Sequence, residues 1–330
     1  MILRRLLGRV VCLFVIAVWL SFSSQAQSPV LTGNHAGYGA EEYHRIGMAC
    51  ANRKEYDEAV KNLKRAISLR PDFALVYNDL GYIHYQANQP AEAVRNYLEA
   101  ILIKSDYALA YNNLGMAYSA LGQYEEAVNA LQRATKLRDG YAAAYYNLGT
   151  VYYKSGQSEL AVAALKQSIF IEAHRPEAHL NLGIAYSELG FYQEAIASFQ
   201  KALLLRPNLG MAYRGLGLAY HKLGKLREAI EAYEQAVSFN KEDAEAFNNL
   251  GVAHASAGAF RKAIGFYQQA TTLRPQYAEA HYNMAIAYLS INKKEEAIKQ
   301  YALLKTTSPG IAHNLYRLIY KDSLLVLTYK

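Results

Sequence analysis

The chain has 330 residues, 52% hydrophobic and 19% charged, a balance that excludes a disordered or fibrous protein. Two Cys exclude a disulfide framework and an all-Cys zinc site. The net charge of +7 would suit a nucleic-acid partner, but three of the positive charges, Arg4, Arg5 and Arg9, stand in the first nine residues.

That first stretch has the order of an export signal. Residues 1–9 carry no acid, residues 10–20 are eleven apolar residues in a row, and Ser24-Gln25-Ala26 offers a small-x-small cleavage pattern. This predicts a secretory signal peptide over 1–26 and an exported protein, in the periplasm or cell envelope of a bacterium. Eleven helical residues span about 16 Å, roughly half a bilayer core. An uncleaved N-terminal membrane anchor is the alternative. Without 1–26 the charge falls to +4, acids and bases alternate, and a nucleic-acid partner is not expected. Cys50 then stands by itself and reads as a small buried apolar side chain. Residues 27–39 read as a linker.

From residue 40 onward one period governs the chain. Asn-Leu-Gly occurs at Asn113, Asn147, Asn181 and Asn249, in steps of 34 or twice 34. The register extends to Gly47, Gly81, Gly115, Gly149, Gly183, Gly217 and Gly251, with Ala285 in the eighth place. Twelve residues after each lies an Ala, from Ala59 to Ala297, without exception. The predicted units are 40–73, 74–107, 108–141, 142–175, 176–209, 210–243, 244–277 and 278–311.

Each unit reads as two helices. Counting Ala40, Ala74 and so on as slot 1, apolar residues fall at slots 4, 7, 8 and 11, one face of a 3.6-residue period. A second face follows at slots 20, 24 and 27. Between them slot 15 is Gly or Asn in seven units, the residues that tolerate the left-handed end of a helix. Pro71, Pro207, Pro275 and Pro309 at slot 32 stop the second helix. Gly at slot 8 and Ala at slot 20 permit close helix approach, and aromatics at slots 4, 11 and 24 fill the space between units. Residues 312–330 start as an amphipathic capping helix, with Leu315, Leu318 and Ile319 on one side. Leu324-Leu325-Val326-Leu327 then follows, apolar enough to fold back or to meet a partner or a second copy.

The Leu-Gly, Tyr, Ala, aromatic, Ala and Pro pattern resembles the tetratricopeptide repeat family, over 272 of the 330 residues. The resemblance implies an all-α, right-handed solenoid of eight repeats with a C-terminal cap and a concave surface made mostly by the first helices. The chain departs from the family at slot 4, which is Tyr, His or Phe and never Trp. Carboxylate-clamp members use Lys at slot 5 and Asn at slot 9; neither is present, so binding of a partner's C-terminal carboxylate is not expected.

No H-E-x-x-H, G-x-S-x-G, P-loop or C-x-x-C motif occurs. His84 and His254 occupy slot 11, and His179 and His281 slot 4, which are structural places. We expect no enzyme activity, no cofactor, no metal and no small-molecule substrate.

A solenoid binds instead. Slots 2, 6, 9 and 13, with 5 and 12 beside them, share the predicted concave stripe. Slot 6 holds Asn113, Asn147, Asn181, Asn249 and Asn283, with Asp79 in unit two; Asn78, Asn112 and Tyr146 stand beside them at slot 5. A side-chain amide can pair with both N–H and C=O of an extended peptide. The same Asn can also bond within the solenoid. Slot 9 adds an apolar row including Tyr82, Met116, Ile184 and Leu218, for ligand side chains or for packing against the next unit. The row of Asn is similar to that in the repeat region of O-GlcNAc transferases. The expected function is an exported scaffold that holds extended segments of other proteins, in envelope assembly or secretion. The alternatives are a recruiting subunit of an enzyme complex, such as a glycosyltransferase, and a self-associating structural protein.

Overall fold

The structure is a computed structural model and describes residues 38–321. The signal segment 1–26, the linker up to residue 37 and the apolar run Leu324–Leu327 lie outside the described residues. Within them all regular structure is helical. First helices are α1 (Ala40–Asn52), α3 (Ala74–Gln86), α5 (Ala108–Ala120), α7 (Ala142–Lys154), α9 (Pro176–Glu188), α11 (Gly210–Lys222), α13 (Ala244–Ser256) and α15 (Ala278–Ser290). Second helices are α2 (Tyr56–Leu69), α4 (Pro90–Ile103), α6 (Tyr124–Leu137), α8 (Ser158–Ile171), α10 (Tyr192–Leu205), α12 (Leu226–Phe239), α14 (Phe260–Leu273) and α16 (Lys294–Thr307). Each unit thus spends slots 1–13 and 17–30 in helix.

Slot 15 carries positive φ in all eight units, between 59 and 78°. Gly and Asn fill it in seven. In unit one it is Lys54 at φ 63°, a residue that the search for Gly and Asn passes over. Within a unit the two helices meet at the small residues. The slot-20 Ala is 0% exposed in every unit. A Cβ at Gly81 would lie 2.7 Å from the Tyr97 ring, and one at Gly217 would lie 2.7 Å from Tyr233. Slot 8 must therefore be bare for the slot-24 ring to lie across it. Full burial of each such side chain contributes about 1.5–3 kcal/mol.

Between units, the cores of neighbours merge. Leu250 and Ala253 of unit seven pack with Tyr233 and Ala229 of unit six. At several junctions a slot-31 cation lies over the slot-34 ring: Arg70 over Phe73 at 3.3 Å, Arg138 over Tyr141 at 4.6 Å and Arg274 over Tyr277 at 4.9 Å.

The first helices of consecutive units touch along the whole array, while no two second helices make a comparable contact. The first helices therefore line the inner, narrower face and the second helices fan out around it.

The cap helix α17 spans Pro309–Tyr316 and runs into a π turn over Arg317–Lys321. It begins three residues before the expected cap, because Pro309 sits at the first helical position, where its missing N–H costs nothing. Leu315 and Ile319 are buried, but Leu318 is 40% exposed, contrary to the expectation that all three share one side. The wider π turn rotates Leu318 off that face.

Candidate functional site

On the inner face, slots 5 and 6 form a hydrogen-bonded ladder. Asn147 donates from Nδ2 to Asn112 Oδ1 at 2.9 Å, and Asn112 donates to Asn113 Oδ1 at 3.2 Å. Asn113 donates to Asn78 Oδ1 at 3.1 Å, and Asn78 donates to the Asp79 carboxylate at 3.2 Å. Asp79 also accepts from His44 Nε2 at 2.7 Å. Six side chains across four units thus form one continuous chain of hydrogen bonds.

Asn78 and Asn112 are 2% and 7% exposed. Expected as groove contacts, they lie beneath its surface, where each connects the slot-6 side chains of two units. Asn113 and Asn147 are half-buried above them. The doubled pairs Asn78-Asp79, Asn112-Asn113 and Asn248-Asn249, set 34 or 136 residues apart, are the signal that reveals this partnership. Reading each slot as a separate column hides it.

The ladder changes at unit four. Slot 5 is Tyr146, and Asn181 donates to its hydroxyl at 3.3 Å and to Thr150 Oγ1 at 3.2 Å. In unit five slot 5 is Leu180, which is buried. In unit six Arg214 binds Glu245 and lies 3.5 Å from Asp243. Gly215 follows, and a Cβ there would overlap the tip of the Phe199 ring. A short ladder resumes in units seven and eight. Asn283 donates to Asn248 at 3.1 Å, and Asn248 to Asn249 at 3.4 Å.

Beside the ladder runs exposed apolar surface. Leu75, Tyr82, Leu109, Met211 and Leu218 are 38–51% exposed. Met116 is half-buried, and Ile184 is half-buried against the core of unit five. Slot 9 therefore both packs and faces outward, the balance varying from unit to unit. In units two to four, Asp79 is the sole charged residue among slots 2, 5, 6 and 9. This surface offers amides and apolar side chains with almost no net charge.

The histidines have structural partners. His179 Nε2 lies 3.0 Å from the Ala173 carbonyl, and His281 Nε2 lies 2.9 Å from that of Pro275, both at slot 32 of the preceding unit. His254 is buried and stacked on Phe266, and burial pulls its pKa below the ordinary imidazole value. Burial likewise pushes the hydroxyls of Tyr97, Tyr233 and Tyr267 well above the ordinary phenol range, so they stay neutral. Among the described residues no group of three or more His, Cys, Asp or Glu is placed to hold a metal, and no helix is long and apolar enough to cross a membrane. Cys50 is buried, and burial raises its thiol pKa.

Family models described as TPR repeat match residues 47–88, 81–122, 115–156 and 149–190. Models described as Tetratricopeptide repeat match 175–242, 214–278 and 254–317. Among solved structures the chain is similar to the APC/C hetero-tetramer Cut9-Hcn1, with TM-score 0.61 and 17% identity over 80% of this chain and 52% of that one. The chain thus spans about half the length of that relative. It is similar to the C-terminal part of a TPR repeat-containing protein from Cytophaga hutchinsonii, with TM-score 0.58 and 19% identity over 73% of this chain and 99% of that one. Pseudomonas aeruginosa pilF follows, with TM-score 0.56 and 20% identity over 66% and 96% of the two chains. At these identities the likeness is one of fold. No curated protein matches the sequence significantly.

Proposed function

The chain belongs to the tetratricopeptide repeat family, and we propose that it is an exported, non-enzymatic scaffold that holds an extended segment of a partner protein along its inner face. Tetratricopeptide repeats are in general non-catalytic and bind other proteins. One observation carries the reading here. Leu75, Tyr82 and Leu109 stand exposed beside a row of amides on the narrow face, and Met211 and Leu218 continue the exposed apolar surface in unit six. Apolar pockets next to backbone-like donors and acceptors suit an extended chain. The cationic start and apolar run of residues 1–20 support work in the cell envelope, in assembly or secretion.

Crosslinking in the native compartment tests the groove. The triple variant Tyr82→Asp, Leu109→Asp, Leu218→Asp should lose its crosslinked partners by at least about tenfold, since each buried apolar contact is worth about 1 kcal/mol or more. Its helical circular dichroism should be unchanged. Full retention of partners with the fold intact sinks the groove reading. Mass spectrometry of the native chain reads the export signal separately: an N-terminus at residue 27 is expected, and an intact chain in the membrane fraction would replace export by anchoring.

A further inference from the structure

The amide hydrogen bonds of units two to four all run in one sense, and a single group determines that sense. A carboxylate only accepts. Asn78 lies 3.2 Å from Asp79 Oδ1, so it must turn its NH2 toward that oxygen. Its own Oδ1 then faces Asn113, which must present NH2. Asn113 Oδ1 must accept from Asn112, and Asn112 Oδ1 from Asn147. Four amides are aligned in series from one charge, and hydrogen bonds in series strengthen one another. The imidazole of His44, 2.7 Å away, holds the other oxygen of Asp79.

The short ladder of units seven and eight lacks such an anchor. Slot 6 of unit seven is Asn249, and slot 5 of unit six is Arg214, which has no acceptor. Turning Asn249, Asn248 and Asn283 over together would keep the same number of bonds. Its sense is therefore not determined by the ladder itself.

We infer that Asp79 determines the direction in which an extended partner chain runs along units two to four. This rests on the groove reading above. Asn113 spends one N–H and one lone pair within the ladder and keeps one of each, and Asn147 spends one N–H. In Asn113 the nitrogen lies toward Asn78 of the preceding unit and the oxygen toward Asn112, the side chain that reaches Asn147 of the following unit; Asn147 likewise turns its nitrogen toward the preceding unit. In an extended chain the N–H and C=O of one residue point to the same side, close enough for one amide to pair both. The partner's C=O must then meet the nitrogen, on the side of the preceding unit. Its N–H must meet the oxygen, on the side of the following unit. Within a residue N–H precedes C=O, so the partner runs from unit four toward unit two, N-terminus to C-terminus. A partner in the opposite direction would set donor against donor and acceptor against acceptor.

The test uses the full chain and 12-residue peptides selected on it from a random display library. Each selected peptide is synthesised with a nitroxide at its N- or C-terminus. Paramagnetic broadening is then read at the methyl groups of Leu75 in unit two and Ile184 in unit five. In the wild-type chain a C-terminal nitroxide should broaden Leu75, and an N-terminal one Ile184, with a preference of about tenfold, the worth of one well-made hydrogen bond. In Asp79→Asn, which keeps shape and loses the carboxylate, both ends should broaden both methyls to within about threefold of each other. Asn78→Leu, which cuts the ladder between Asp79 and Asn113, should have the same effect and serves if Asp79→Asn perturbs the fold. Peptides bound in both directions by the wild-type chain overturn the inference, as does an undiminished single direction in these variants. If selection yields no peptide that shifts Leu75 or Met116, the groove reading falls and the inference falls with it.

Discussion

Units two to four and units five to six share one backbone and differ in the face they present. In both regions slot 8 is Gly, slot 20 is a fully buried Ala, and the slot-24 side chain lies across the slot-8 Gly. On the inner face, units two to four carry amides in series from Asp79, whereas units five and six carry Leu180, Arg214 and Gly215 beside a single amide, Asn181, that bonds back to unit four. The scaffold therefore depends on slots 8, 20 and 24, and slots 5 and 6 vary without altering it. Yet slots 5 and 6 do not vary one at a time. An Asn at slot 6 bonds well where the preceding unit has an acceptor at slot 5.

Installing the missing amide is the severest test of that difference. Gly215→Asn should destabilise unit six by about 1–3 kcal/mol, because its Cβ overlaps the Phe199 ring. Phe199→Leu, which supplies the side chain used at Leu131 and Leu165, should recover most of that loss in the double variant. Urea unfolding of the four chains checks it, and additive effects would show that the ring is not what excludes Asn. Next in size, Asn112→Ala strands the donor of Asn147 and the acceptor of Asn113 and should cost about 1–2 kcal/mol. Hydrogen exchange in units three and four should report the loss, with units seven and eight unaffected. Smallest is Tyr233→Phe. The Tyr233 hydroxyl is buried without a hydrogen-bond partner, so removing it should stabilise unit six by about 1 kcal/mol or less. Tyr97→Phe, in the same slot of unit two, should lack that gain, since its hydroxyl is not stranded in this way.

Much of the fold was legible in the sequence because the period is regular and each slot has its own chemistry. Gly beside a ring and Ala at the crossing mark the packed faces, and a left-handed residue at slot 15 marks the end of each first helix. Lys54 was missed because a lysine carries no sign of positive φ. Leu318 was misplaced because a π turn changes the period locally. The ladder was half legible. The Asn column at slot 6 was visible, but its bonds join slot 6 of one unit to slot 5 of the unit before, 35 residues away. Phe199 filling the place above Gly215 was not legible, since it depends on how far a ring in unit five reaches into unit six.

The touching first helices also have a mechanical consequence. The array behaves as a rod of nearly equal links, each joined only to its neighbours, so its stiffness is the stiffness of its weakest joint. Across units two to four the amides tie the inner edges of the links together. Among the described residues no side-chain hydrogen bond or ion pair joins α9 to α11, the first helices of units five and six. There the Phe199 ring of unit five, lying over the bare Gly215 of unit six, joins the links by packing instead. Opening that joint would part the two halves of the inner face while leaving the aligned amides of the first half in place.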